Sequence, residues 1–580
     1  MDKRSILAII LIGLILVLYG PYARWINPPK PHVSADSTQS EAIGEERPAR
    51  PAPSEPGVIA PAGGADAIDM ADIISSDTLQ KIIPNRTALI ETERYLMRIS
   101  SDGAQIKSLI LKPYNHYQRD SVELIPDEPG ARPGYRFWTY NGPIETAALT
   151  FQFEDDPGED DVRITLAGGQ TDTLRLLALL ESGKGIRISY VFYGDKFTCL
   201  IAAEGVGSDK LFVRDYCEAL WTGGLAYTES DTDQDQSFSE ATIYFAGDET
   251  QKQKIESKKS ISTNPASGET RWGAIRTKYY MAALLPETSP AVGSWLESVH
   301  DSMRVSKVQP NRLGVALRIP IVKGSPVTPV RLFTGPLDLR VLKEVDPSLA
   351  STMNWGWPVI AFFSKAVLWG LMQIYALVPN YGVVIIVFSI IIRLIIWPLT
   401  HKSAVSMAGM QRLQPQLVIL REKFKNDPQR LNKEMMKLYK EEKINPMGGC
   451  LPMLLQLPLL YGLFIVFRST IEFRQAPFAL WINDLSKPDI IFHLPFSIPI
   501  YGDYVCVLPI LMAVSTFFQS KMTMSDPNQK MMLYIMPIML LLFFNSFPSG
   551  YNLYFTLFNV WQVVQQKITP IPTAGSVKPS

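Results

Sequence analysis

The sequence predicts a membrane protein with two parts: an α-helical polytopic bundle of six spans and a large all-β antiparallel sandwich. Short alternating apolar segments, separated by Gly, Asp and Asn turns, occupy residues 81–340. Five apolar runs follow residue 347, each at or below the ~20 residues of a typical span. One run, 383–399, holds Arg393 with only aliphatic neighbours within three positions. A charge there is costly and indicates a functional site.

At the N-terminus, the basic stretch 1–4 precedes an apolar run at 6–18. No convincing small-residue cleavage site and no lipobox cysteine follow it. We therefore favour an uncleaved anchor over 1–24 with its N-terminus inside; a cleaved signal is the alternative. Residues 25–80 are rich in Pro, Ala, Ser and Gly and have no aromatic residue after position 26. This composition cannot build a core and predicts a flexible periplasmic tether.

The region 81–340 is predicted to form the β-sandwich and is large enough to bury its own core. Its predicted strands are 95–99, 106–111, 135–140, 149–153, 162–166, 186–192, 198–203 and 242–245. Cys199 and Cys217 lie in this region. They form either a disulfide, if the region is extracytoplasmic, or two unpaired buried thiols. We favour the unpaired thiols because a domain of this size does not need a disulfide for stability.

Five further spans are predicted after the β-sandwich, and their short lengths indicate a thinned bilayer or tilt. We place them at 381–400, 449–468, 503–521, 531–547 and 550–567. Their other connections are a periplasmic loop, a short cytoplasmic loop and a short cytoplasmic tail, at 469–502, 522–530 and 568–580. Six spans place both termini in the cytoplasm.

The apolar segment 355–378 could be interpreted as an additional span. In that case the basic loop at 401–446 would lie on the side of the β-sandwich, opposite the N-terminus, against the positive-inside rule. We therefore predict an interfacial amphipathic helix over 355–378, anchored by Trp355, Trp357 and Trp369.

The loop 401–446 is predicted to be a cytoplasmic helical hairpin, because Asn426-Asp427-Pro428 divides two stretches with apolar residues at helical spacing. It carries ten Lys or Arg and five Asp or Glu. One interpretation is a solvated helix pair that only obeys the positive-inside rule. The other is a docking element for lipid head groups or an incoming acidic chain. Its candidate docking residues are Arg412, Arg421, Lys423, Lys433 and Lys437.

Patterns for bond-making chemistry are missing from the sequence. The five histidines fall at no metal-ligand spacing, and no phosphate-binding loop is present. Ser549 has no His or Lys placed to activate it. The sequence therefore predicts no catalytic residue, no metal and no cofactor. The inverted repeats of many transporters are also missing.

Polar residues recur inside the apolar runs. Ser389 lies one helical turn before Arg393 on the same face, and Gln456 lies between two prolines. In the last span, amides recur along one helical stripe: Asn552, Asn559, Gln562 and Gln566. Single polar residues commonly bond neighbouring spans to each other. A stripe of amides together with a charge instead predicts a wet groove inside the membrane.

Five motifs carry a resemblance to one family. They are IIRLIIWPLT (391–400), MAGMQRLQPQL (407–417), NPMGGCLPMLLQLPLLYGLF (445–464), QAPFALWINDLS (475–486) and FPSGYNLYF (547–555). With these motifs in family order, the chain resembles the YidC-type membrane protein insertases. The β-rich region resembles, more weakly, the large periplasmic domain of the Gram-negative members.

This resemblance implies that Arg393 lies in a hydrophilic groove open to the cytoplasm and to lipid but closed towards the periplasm. By the same resemblance Ser389, Gln456, Tyr554 and Phe555 would line the groove. The polar stripe adds Asn559 and Gln562 as candidate groove residues. The family often has Tyr where this chain has Phe555. The implied activity is that of an insertase and chaperone in the inner membrane of a Gram-negative bacterium.

The partners implied by the resemblance are nascent membrane proteins, the lipid bilayer, the Sec translocon with its accessory subunits, and the ribosome through the cytoplasmic loops. Recognition of a nucleic-acid sequence is not implied. Two alternatives from other classes stay open. One is a small-solute transporter or channel that uses the same groove, and the other is a periplasmic carbohydrate-binding protein.

Overall fold

The computed structural model describes residues 85–568 with gaps. The residues left out within this range are 118–120, 126–132, 140–141, 157, 159, 181–183, 208–211, 256–260, 301–310, 322–327, 443, 445–450 and 524–529. The predicted first span (1–24), the tether (25–80) and nearly all of the predicted tail (568–580) lie outside the described residues. The described parts of 80–523 and 534–580 form one compact unit.

The first half of the described chain consists mainly of strands. In Gly185–Tyr193, buried residues alternate with partly exposed ones, as expected for a strand with one face on the core. The strands are β1 Thr87–Glu91, β2 Tyr95–Ser100, β3 Gln105–Leu111, β4 Val122–Glu123, β5 Pro133–Thr139, β6 Gly142–Glu145, β7 Gln152–Phe153, β8 Val162–Thr165, β9 Thr171–Leu179, β10 Gly185–Tyr193, β11 Thr198–Val206, β12 Tyr216–Trp221, β13 Glu240–Phe245, β14 Thr250–Gln253, β15 Ile261–Arg276, β16 Tyr280–Pro286, β17 Ala291–His300, β18 Asn311–Pro320 and β19 Thr328–Pro336.

These strands form two sheets. The larger sheet has 14 strands in the order β6-β5-β12-β18-β17-β15-β16-β19-β11-β10-β9-β7, with β13 and β14 attached beside β15. The smaller sheet has five strands in the order β4-β3-β2-β1-β8. Nearly all neighbours pair antiparallel, so the predicted large antiparallel β domain is confirmed.

Two details of the predicted all-β antiparallel domain are wrong. Strand β8 pairs parallel to β1, with Ala88 opposite Val162. The domain region also includes a short helix, α1 (Thr232–Phe238), and a second one, α2 (Leu339–Val345), begins at its end. Each is capped by an aspartate side chain that accepts a first-turn N–H. These caps satisfy helix-end donors that would otherwise need water.

The two sheets share one buried core. The buried Tyr190 of the larger sheet donates its hydroxyl proton to the Ala104 carbonyl beside the smaller sheet, at 2.6 Å. Cys199 and Cys217 are buried free thiols, as favoured from the sequence. Burial raises the pKa of each thiol to about 12, so both stay protonated and unreactive.

The second half of the chain is mostly helical. Its helices are α3 Pro358–Tyr375, α4 Tyr381–Arg412, α5 Gln414–Lys423, α6 Pro428–Glu441, α7 Leu451–Ser469, α8 Val507–Thr523, α9 Lys530–Phe544 and α10 Ser549–Ile568. Two further strands, β20 Ile490–Ile498 and β21 Gly502–Cys506, form a hairpin between α7 and α8.

Several predicted boundaries differ from the structure. The span expected at 503–521 begins at Val507, because Gly502–Cys506 is a strand. The loop expected at 469–502 therefore contains most of a β-hairpin. The predicted span 531–547 ends as a helix at Phe544, and the predicted span 381–400 continues as helix into the loop, to Arg412.

Two described helices are long and apolar enough to cross a membrane: Pro358–Tyr375 and Tyr381–His401. Three shorter apolar helical stretches, Gln456–Ser469, Val507–Lys521 and Leu533–Phe544, fall below that length. By length and composition α3 thus meets the criterion for a span. Its predicted interfacial placement therefore depends on the charge distribution along the chain.

Helices α5 and α6 form a hairpin, and the Asp427 side chain accepts from Arg430 N at 3.0 Å to cap the second helix. Leu413 and Leu417 are buried, whereas α6 has no buried residue. Most of the hairpin surface therefore remains accessible.

Candidate functional site

Arg393 is buried among the apolar helices, with 5% of its surface exposed. Its Nη2 donates to Gln565 Oε1 of α10. Its guanidinium carbon lies 5.2 Å from the centroid of the Phe558 ring. The Nε and Nη1 atoms are buried and have no hydrogen-bond partner among the described residues. The cation therefore keeps donors for an incoming acceptor such as water or a client carboxylate.

One face of α10 meets α4 around this charge. The Trp561 indole N–H donates to Ser389 Oγ at 3.2 Å, and Ser389 donates in turn to the Ile386 carbonyl at 2.7 Å. The Gln565 side-chain amide donates to Thr400 Oγ1 at 3.1 Å. Ser389 and Arg393 thus face α10 together, one helical turn apart.

A second face of α10 meets α8. Asn559 Nδ2 donates to Ser515 Oγ at 3.1 Å and to Thr516 Oγ1 at 2.8 Å. Asn559 is therefore a bond between helices, and no described contact joins it to Arg393. The polar side of α8 continues to the buried Ser520 one turn later.

The remaining predicted groove residues lie on two helices, α10 and α7. Tyr554 is buried, and its hydroxyl has no partner among the described residues. Phe555 is half-buried, with its ring centroid 5.9 Å from that of Phe544. Gln562 and Gln456 are half-buried, on α10 and α7. The side chain of Gln566 lies outside the description.

Three residues of α10 that contact Arg393 or Ser389 are not among the groove residues predicted from the sequence. Phe558, Trp561 and Gln565 follow Tyr554 at intervals of four, three and four, the spacing of one helical face. That spacing is present in the sequence, but polarity alone favours the neighbouring stripe of four amides at 552, 559, 562 and 566.

Most of the hairpin cations lie on its exposed surface. Arg412, Lys423, Lys433 and Lys437 are exposed, and Arg421 is half-buried. Lys437 Nζ lies 3.8 Å from Glu441 Oε1, one turn along α6. This surface can meet phosphate groups or an acidic segment without first breaking a buried contact.

The three predicted tryptophan anchors do not share one environment. Trp357 and Trp369 are 65% and 68% exposed. Trp355 is buried instead, with Lys365 Nζ 5.9 Å from its ring centroid. It precedes α3 and folds back on it, because the Ser364 hydroxyl donates to the Trp355 carbonyl at 3.3 Å. Trp355 therefore cannot present its ring to lipid.

A buried ion pair joins the β domain to the loop after α7. Arg474 Nε donates to Glu229 Oε1 at 2.6 Å, and both side chains are at most 3% exposed. Arg474 Nη1 also donates to the Asn115 carbonyl at 2.8 Å. Lys487 Nζ lies 3.8 Å from Glu229 Oε2 and 3.0 Å from the Tyr117 ring centroid. These contacts hold the β domain against the helical region. Within the described residues, no cluster of potential metal ligands is found.

Comparison with known proteins covers nearly the whole chain. The family model of the YidC periplasmic domain matches residues 87–370, and that of the 60Kd inner membrane protein matches 373–573. The membrane protein insertase YidC of Chloroherpeton thalassium is 32% identical over 591 residues, covering 98% of this chain and 95% of the relative. That of Chlorobium phaeovibrioides is 33% identical over 577 residues, covering 98% and 94%. A crystal structure of an active YidC insertase with its first transmembrane domain resolved covers 84% of this chain and 95% of its own, at 17% identity and a TM-score of 0.34.

Proposed function

Because the chain belongs to the YidC family of membrane protein insertases, we propose that it inserts nascent proteins into the bacterial inner membrane and helps them fold there. One observation supports this most directly. Arg393 is a buried cation on a helix of span length, and two of its nitrogen donors are unused by the described residues. Such a charge is costly in a membrane unless it has a function.

The proposed mechanism lowers the cost of moving a hydrophilic segment across the membrane. A client flank must cross about 30 Å of hydrocarbon, in which each unsatisfied polar group costs several kcal/mol. The side chains of Arg393, Ser389, Thr400 and Gln565 offer hydrogen bonds along part of that path. An ion pair at about 4 Å in an effective dielectric of about 20 is worth roughly 4 kcal/mol. This is comparable to the roughly 3 kcal/mol that an acidic residue costs at the centre of a span.

The client's apolar segment then passes sideways into lipid. Leu394 and Ile395 follow Arg393 on α4 and are more than 60% exposed. A hydrophobic segment that leaves the polar residues can therefore remain in contact with apolar side chains. Its own transfer into hydrocarbon makes the step favourable. We propose that this transfer and the membrane potential supply the energy for insertion, so that no covalent bond has to be made or broken.

We further propose six spans with both termini in the cytoplasm, the β domain in the periplasm of a Gram-negative cell, and α3 at the periplasmic interface. The charge of the hairpin supports this orientation, because the exposed cations of α5 and α6 would lie in the cytoplasm. There the hairpin would dock lipid head groups, the ribosome or an acidic client segment. The Sec translocon with its accessory subunits is the proposed partner within the membrane.

Site-specific photo-crosslinking tests the proposed path. A photoreactive residue at position 389, which faces α10, should crosslink to a ribosome-stalled membrane-protein client in vesicles. The matched control carries the same residue at position 395, on the exposed apolar face of α4. Early client intermediates should crosslink at 389 before 395. Crosslinking at 395 alone would contradict passage beside Arg393.

A further inference from the structure

A cleft of about 860 Å³ lies between the β domain and the start of α3. Its walls come from the end of α1, from β13 and β14, and from the 3-10 helix Pro347–Thr352. Arg468 at the end of α7 also lines it. The cleft shares no residue with the site around Arg393.

The lining of the cleft is strongly cationic. Five basic residues and one acidic residue contribute to it: Lys252, Lys254, Arg276, Lys365, Arg468 and Glu240. Lys252 and Glu240 neutralise each other at 2.7 Å. In the part of the chain that the structure describes, the other four cations pair with no carboxylate. The lining of the cleft therefore carries a net positive charge.

Two features strengthen this preference for an anion. Arg276 is nine-tenths buried, and its guanidinium donates to the carbonyls of Thr277 and Thr352 rather than to an acid. Helix α3 also begins at the cleft, where its N-cap residue Trp357 makes no side-chain cap. The first-turn N–H groups and the positive end of the helix dipole thus add to the cationic lining.

The outer side of the same helix is apolar. Val359 and Phe362 are exposed, and the exposed Trp357 ring stacks on Tyr461 with 6.3 Å between ring centroids. Exposed aromatic pairs of this kind are typical of the head-group level of a bilayer. A ligand that spans both surfaces must have an anionic head and a hydrocarbon tail. A free soluble anion would use only the cleft.

We propose that the cleft binds the phosphate-bearing head group of an anionic phospholipid, whose acyl chains lie along the exposed apolar side of α3. This inference rests on the proposed placement of α3 at the membrane surface. A bound lipid joins residues of the β domain, α3 and α7 through one head group. Anionic lipid therefore stabilises the β domain against the membrane surface.

Lipid titration of the full chain in detergent tests the assignment, with native mass spectrometry as the readout. Phosphatidylglycerol should bind, while phosphatidylcholine with the same acyl chains should bind at least about tenfold more weakly. Lys254 and Lys365 are both exposed, so their substitution spares the core. Each cation near an anionic surface contributes about a fivefold change in affinity. The double variant K254Q/K365Q should therefore bind phosphatidylglycerol about 25-fold more weakly.

The matched control is R98Q/R163Q, which removes two exposed cations of the smaller sheet outside the cleft. It should bind phosphatidylglycerol like the unmodified chain, and R468Q should weaken binding again. Equal binding by K254Q/K365Q and the control would overturn the proposal. Inorganic phosphate that competes with the lipid at similar concentration would replace it with a site for a soluble anion. The titration contains no client, so failed client insertion would contradict the proposed function without affecting this result.

Discussion

The buried ion pair Glu229–Arg474 should be a major stabilising contact between the β domain and the helical region. Substituting Arg474→Met removes the cation and leaves a carboxylate that is 2% exposed. A buried charge that loses its partner costs about 3–5 kcal/mol. Lys487 Nζ remains 3.8 Å from the other oxygen of Glu229 and offsets part of this loss. We therefore expect a loss of about 3 kcal/mol in the free energy of unfolding.

The matched control is an exposed pair within the β domain. Arg175 and Asp155 lie 3.2 Å apart, and their side chains are 46% and 49% exposed. Because solvent screens this pair, Arg175→Met should cost at most about 1 kcal/mol. Replacing both Glu229 and Arg474 by Met should recover much of the loss, since no buried charge is then left alone.

Guanidinium denaturation of the full chain in mild detergent measures these differences, and limited proteolysis reports detachment of the β domain. Arg474→Met should lower the denaturation midpoint well below that of Arg175→Met, and the double variant should lie between Arg474→Met and the unmodified chain. Equal midpoints for the two single variants would refute a stabilising role of the Glu229–Arg474 pair between the two regions. A double variant less stable than Arg474→Met alone would show that the pair itself, and not the uncompensated charge, dominates.

Three further predictions concern pH, the hairpin and the amide at position 565. Burial and the nearby Asp338 raise the pKa of Glu472 from 4.5 to about 7. Protonated Glu472 therefore stabilises the fold fully below about pH 4.5, by up to about 3 kcal/mol. This contribution is lost as the pH rises through 7. Relative to the unmodified chain, Glu472→Gln should therefore gain thermal stability between pH 5 and 8, and a constant difference over that range would be contrary evidence. Replacing 413–442 by a short Gly-Ser linker should leave the protein in the membrane, because α6 has no buried residue. It should nevertheless impair client insertion in vesicles. Absence of the shortened protein from the membrane fraction would show that the hairpin is needed for folding. Gln565→Leu removes the acceptor of Arg393 and should reduce insertion more than Asn559→Leu, which faces α8; protease protection of clients compares them, and equal losses would argue against a special position for Gln565.

Much of the fold was predictable from local patterns. Alternating apolar residues identify strands such as β10 because one face of each strand lies on the core. A parallel pair such as β1 with β8 was not predictable, since it joins segments about seventy residues apart through tertiary packing. The start of α8 was misplaced because the apolar residues before Val507 serve equally well in the strand β21.

The site was predictable only as far as single helices determine it. Ser389 and Arg393 share a face by helical spacing alone, and the structure places both against α10. Polarity alone does not indicate which of the amide side chains on α10 contacts Arg393. Gln565 lies on the side of α10 that meets α4, while Asn559 lies on the side that meets α8. Which side meets which helix depends on packing among three helices.

The central claim is tested most directly by comparing variants of residue 393 in the insertion of clients whose tails differ in charge. Vesicles containing the unmodified chain, Arg393→Lys or Arg393→Ala receive clients whose short translocated tails carry from zero to three acidic residues. Protease protection reports the tails that cross. Loss of a pair worth roughly 2–4 kcal/mol should slow acidic tails by at least about 30-fold in Arg393→Ala. Neutral tails should slow far less, and Arg393→Lys should retain most activity because its charge remains. Equal loss for every tail, or a collapsed melting temperature in Arg393→Ala, would contradict an electrostatic role for Arg393.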